Sequence, residues 1–123
     1  MIAQLHPADF AAWRDRAAAA TGEAPAALPV VLDVREPWEV QTASISEDGF
    51  TLACIPMREI PERLAGLRAA HGADHPIACL CHHGMRSLQV ANYLAQSGFS
   101  DVVNLQGGID AWSQQLDVSV PRY

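Results

Sequence analysis

The order of this 123-residue chain predicts an α/β fold, a central parallel sheet flanked by helices on both faces, and three observations carry that prediction. Short apolar runs of strand length alternate with amphipathic stretches of helix length through most of the sequence. The segment Val30, Val31, Leu32 and Val34 is almost continuously apolar, which suits a strand covered on both sides. Glycine and proline mark the joints between these segments, and right-handed crossovers then leave parallel pairing as the natural arrangement.

Taken in order, Pro7 or Asp9 opens a first helix that runs through Phe10 and Trp13 to Ala20, where Thr21, Gly22 and Pro25 break the pattern. Leu28 and Pro29 lead into the strand at Val30, and Pro37 after Glu36 sits well at the first turn of a short helix. Gln41 to Gly49 is polar and irregular, and Leu52 to Ile55 forms a short strand stopped by Pro56. Ile60, Leu64 and Leu67 recur at helical spacing between Pro61 and Gly72. Ile77 to Leu80 is the next strand, Leu88, Ala91, Leu94 and Ala95 mark the apolar face of a helix ending before Gly98, and Val102, Val103 and Leu105 give another strand. Gly107 and Gly108 then introduce a last helical turn around Ala111 and Trp112. The reading is one domain over 1–123, with 1–27 as a helical lead-in, 28–116 as the core and 117–123 as a tail.

Net charge is −6, and all eight basic residues are arginines, so no basic patch marks a nucleic-acid partner. No run approaches the ~20 apolar residues of a membrane span, and Met1 to Phe10 lacks the basic start and apolar stretch of a leader. Three cysteines, Cys54, Cys79 and Cys81, are too few and uneven for a disulfide framework. A soluble cytoplasmic protein is the expectation.

Chemistry concentrates where the third predicted strand meets its helix, at Cys81-His82-His83-Gly84-Met85-Arg86 followed by Ser87. A loop whose N–H groups curl inward forms an anion nest, and the following helix N-terminus adds partial positive charge. Both favour thiolate over thiol, so Cys81 is the candidate nucleophile and Gly84 the residue that lets the loop turn back over the sulfur. In open α/β sheets ligands bind beyond the carboxyl ends of the strands, which is where Cys81 lies. Cys79, two residues earlier, points to the same side and one pleat deeper, as a core residue; Cys54 reads as core or pocket wall. Arg86 has two jobs open to it: holding an anion in the pocket, or turning outward to clamp the loop against a carboxylate such as Asp33 or Glu36. Trp112 reads as core, and Trp38 as core or pocket entrance. Cys79, Cys81, His82 and His83 crowd within five positions, too close to surround one ion tetrahedrally, so no metal is expected, and a cysteine nucleophile requires no organic cofactor.

The loop "CHHGMRS" resembles the active-site loop of rhodanese-like sulfurtransferases, and "VVLDVREPWEV", "CIPM" and "VVNLQGGIDAW" resemble other segments of that family in the same order. The resemblance spans Val30 to Trp112. It implies a rhodanese-like fold of the single-domain type and a Cys81 persulfide as carrier of the transferred sulfur. His82, His83, Gly84, Met85, Arg86 and Ser87 would line that loop, and Asp33 and Arg35 would brace it from behind; as a helix cap and a surface ion pair, those last two have an equally ordinary reading. The implied partners are a small sulfur-containing anion or persulfide donor and, as acceptor, cyanide or a thiol that another protein can supply. A non-catalytic sulfur carrier is the main alternative. A cysteine-type phosphatase is less favoured, since the related dual-specificity phosphatases place five residues between cysteine and arginine and this loop has four. The family's Gly-His-Ile-Pro-Gly-Ala segment is replaced by Ala43 to Phe50, of which only Ile55-Pro56 downstream keeps the pattern, so the substrate-side wall differs.

Overall fold

A computed structural model of the chain describes residues 2–21 and 27–123; Gly22 and Pro25, expected to break the first helix, lie outside them. Five strands form one sheet: β1 (Ala3–Leu5), β2 (Val30–Asp33), β3 (Thr51–Cys54), β4 (Ile77–Leu80) and β5 (Val102–Leu105). Their spatial order is β1-β5-β4-β2-β3, and every pairing is parallel. Between them run α1 (Phe10–Thr21), α2 (Pro37–Thr42), α3 (Ile60–His71) and α4 (Met85–Gln96), and α5 (Gly108–Gln115) follows β5.

The lead-in over 1–27 is not purely helical. Ala3–Leu5 adds an edge strand beside β5, with Leu5 opposite Leu105, before a single 3₁₀ turn at Pro7–Asp9 enters α1. Three residues are too few to show a period, so this strand exists because β5 offers it an open edge.

Alternation along the central strands divides the core in two. Val31, Ala78 and Leu80 face α1 and α5, where Phe10, Phe50 and Trp112 pack edge to face. Val30, Leu32, Ile77, Cys79 and Cys81 face α3 and α4. Trp112 is therefore core, as expected. On α4 the buried stripe is Ser87, Val90, Ala91 and Leu94; Leu88 is only partly covered and Ala95 is exposed, a shift from the face that apolar residues alone predict. Chain leaving β2 turns toward β3 and chain leaving β4 turns toward β5, so a crevice opens between the carboxyl ends of β2 and β4, where Asp33 pairs with Leu80. Among the described residues, no helix is long and apolar enough to cross a membrane.

Candidate active site

Cys81 follows the last residue of β4 and is 1% exposed, its sulfur at the floor of the loop that starts α4. Gly84 takes φ = 101°, a left-handed conformation that swings its N–H back to donate to Cys81 Sγ at 3.1 Å. From the first turn of α4 the Ser87 hydroxyl donates to the same sulfur at 3.2 Å. The loop is tied to the neighbouring strand end as well: Asn104 Nδ2 donates to the Gly84 carbonyl (3.1 Å), Ile109 N–H to the Cys81 carbonyl (2.8 Å) and Asp110 N–H to the His82 carbonyl (3.1 Å). A side chain on Gly108 would collide with those two carbonyls, so only glycine lets α5 start this close to the loop.

Arg86 settles on the outward alternative, with a partner the sequence does not suggest. Its guanidinium grips Glu39 in a fork, Nη1 to Oε2 at 2.7 Å and Nη2 to Oε1 at 2.8 Å, rather than meeting Asp33 or Glu36. Glu39 is 3% exposed at the third position of α2, where its carboxylate also caps the Glu36 N–H. Chiefly through the hydrogen bonds from Arg86, its pKa is held down to about 2, and the same contact raises that of Arg86. Asp33 and Arg35 form a fully buried pair (2.7 Å), so the surface-pair reading fails. Arg35 then donates to the Glu39 and Ala43 carbonyls and to the Tyr123 hydroxyl, bracing α2 and reaching the loop through Glu39. Tyr123 donates onward to Glu39 Oε1 (3.0 Å) and stacks flat on His82 at 3.9 Å. Residues 117–123 thus fold back onto the site, with Val120 buried, instead of forming a tail. Sequence reasoning missed Glu39 and Tyr123; the Glu36–Glu39 spacing signals a helix cap, and nothing marks Tyr123.

With this geometry in hand, comparison with known proteins is direct. The family model for the rhodanese-like domain matches residues 14–115. The chain belongs to the rhodanese-like domain family. A chloroplastic rhodanese-like/PpiC domain-containing protein of Arabidopsis thaliana is 38% identical over 93 residues, 76% of this chain but 30% of the plant protein's length. The thiosulfate sulfurtransferase GlpE of Pseudoalteromonas translucida is 32% identical over 98 residues, covering 76% of this chain and 81% of GlpE. Among solved structures, a rhodanese-related protein from Thermoplasma volcanium superposes with a TM-score of 0.69 at 29% identity over 93% of both chains.

The other candidate residues of this rhodanese-like domain, in the loop and around it, make no hydrogen bond to the Cys81 sulfur among the described residues. His82 is sandwiched between His83 (3.9 Å) and Tyr123, and burial, then the neighbouring His83, push its pKa below the usual range. The potential metal-ligand atoms of His82, His83 and Asp110 lie within 4.8 Å of one another, a grouping different from the cysteine-histidine set suggested by spacing. Asp110 there already holds Arg122 (2.9 Å) and Gln114 (3.2 Å). Met85 and Trp38 are exposed, and Trp38 meets Tyr123 edge-on. Cys79 is fully buried, and burial pushes its thiol pKa up. Cys54 is exposed on the wall of a separate cleft with Glu62, Arg63 and His71, so it is not core.

Proposed function

We propose that this rhodanese-like domain is a sulfurtransferase in which Cys81 takes up sulfane sulfur and passes it on as a persulfide. One observation carries the reading: a thiol at a strand end that receives both the Gly84 N–H and the Ser87 hydroxyl, inside a four-residue loop closed by Arg86. In the first half-reaction the thiolate lends its electron pair to a new S–S bond with the donor's outer sulfur. The donor's own S–S bond breaks, and its pair leaves on sulfite or on a carrier thiolate. In the second, cyanide or an acceptor thiolate attacks the outer sulfur of the Cys81 persulfide, and the Cys81 thiolate departs. Gly84 and Ser87 hold negative charge on the inner sulfur, and in this cycle the other N–H groups of the loop, from His82 to Ser87, would stabilise charge building on the outer one, as donors do in an oxyanion hole. Asp33 and Arg35 act behind them as positioning residues. No metal or organic cofactor enters this cycle.

A reducing cytoplasm is the proposed setting, where three unpaired thiols persist. Incubation with excess donor and no acceptor should add the mass of one sulfur atom at Cys81, removable by cyanide with release of thiocyanate. Loading without turnover to any acceptor would make the domain a carrier, and Cys81-dependent hydrolysis of aryl phosphates would replace the sulfur reading altogether.

A further inference from the structure

Resting on that reading, a more specific one concerns the charge of the donor. Four arginines stand around the carboxyl ends of the strands, and each is matched by a carboxylate: Arg35 by Asp33 (2.7 Å), Arg86 by Glu39 (2.7 Å), Arg58 by Glu36 (2.7 Å) and Arg122 by Asp110 (2.9 Å). The exposed positions of the loop carry His83 and Met85, with His82 half-buried, rather than further arginines. We infer that the donor is a monoanionic sulfane-sulfur compound of the organic persulfide class, and that the Glu39–Arg86 fork makes the site a poor host for a dianion such as thiosulfate.

The physical argument is one of solvation and repulsion. A dianion that leaves water to reach the buried Cys81 sulfur loses part of the hydration of two charges, and the wall offers dipoles and balanced pairs in return. It must also approach a Cys81 thiolate, so the reacting pair gathers three negative charges, one more than with a monoanion, at short range and reduced dielectric. Had Arg86 pointed into the pocket unpaired, its charge would offset that excess; Glu39 takes it up instead. The sulfur chemistry is the same for either donor. Thiosulfate would leave sulfite and a persulfide would leave its thiolate, so the donors differ in leaving group and in charge, and it is the charge that the Glu39–Arg86 fork acts on.

Methanethiosulfonate tests this, because it replaces one charged oxygen of thiosulfate by a methyl group, still transfers its outer sulfur and leaves as sulfinate. The wild-type protein should use it with a kcat/KM at least about tenfold above that for thiosulfate, the size expected of one extra charge at moderate effective dielectric. Glu39→Gln keeps an acceptor for Arg86 and Tyr123 but frees one positive charge, and should close the gap by about tenfold in favour of thiosulfate. Asp110→Asn, nearer the surface, should shift the ratio in the same direction by less, and serves as the readout if the Glu39 variant does not fold. Equal use of both donors by the wild type, or a ratio moved by neither variant, overturns the inference and leaves the sulfurtransferase reading standing. Absence of Cys81-dependent transfer from either donor, and from cysteine persulfide, would instead sink that reading itself.

Discussion

The interior of β4 and its open end carry the same functional group on the same face, two residues apart, with opposite chemical prospects. Cys79 is 0% exposed and Cys81 only 1%, and both belong to the core packed under α3 and α4. Among the described residues, no group donates a hydrogen bond to the Cys79 sulfur, whereas Cys81 receives one from backbone and one from a hydroxyl. Exposure therefore does not distinguish the two thiols. What separates them is the turn: only after the strand ends can a left-handed glycine and a helix start aim polar hydrogens at sulfur.

The comparison is broken most directly by exchanging the cysteines' fates. Cys81→Ser should lower sulfur transfer by at least about a thousandfold, as loss of a covalent nucleophile does, while Cys79→Ala keeps activity within a few fold. Thiocyanate formation measured on both variants decides it, and comparable losses would erase the contrast. Gly84→Ala attacks the turn itself. A methyl there is forced to a positive φ and meets the Gly107 nitrogen at 3.2 Å, so urea unfolding should show a loss of about 1–3 kcal/mol together with reduced transfer. Ser87→Ala removes one of the two donors without strain, and should reduce kcat by about tenfold, the worth of one hydrogen bond to a charged group. Retention of full activity would place the whole burden on Gly84.

A smaller effect comes from pH. Because Glu39 has a folded pKa of about 2 against an ordinary 4.5, its contribution to stability is complete above about 4.5 and is lost as pH falls toward 2. The stability gap between wild type and Glu39→Gln in urea should thus be present at pH 7 and shrink on acidification through that window. A gap that stays constant down to pH 2 would show that Arg86 does not depend on the carboxylate.

Much of the fold was legible because β2 and β4 need apolar side chains on both faces, which leaves an unmistakable run in the text. The α4 face was misjudged for a physical reason. Ser87 is buried because it serves the sulfur, and a search for apolar periodicity skips it. The loop itself was legible, since cysteine, glycine and arginine sit within six positions. Its outer clasp was not: Glu39 lies 47 residues from Arg86 in sequence, and Tyr123 84 residues from Glu39, so only the folded chain brings them together.

The stitching of the Cys81 and His82 carbonyls to the first N–H groups of α5 limits how this loop can be moved between proteins. Without those partners two backbone carbonyls beside the buried sulfur would be left unsatisfied. Anyone grafting the six-residue segment into another scaffold must bring Gly107 to Asp110 with it, the start of the helix that follows a strand lying next door in space and more than twenty residues downstream. The transplantable unit is a pair of adjoining strand ends.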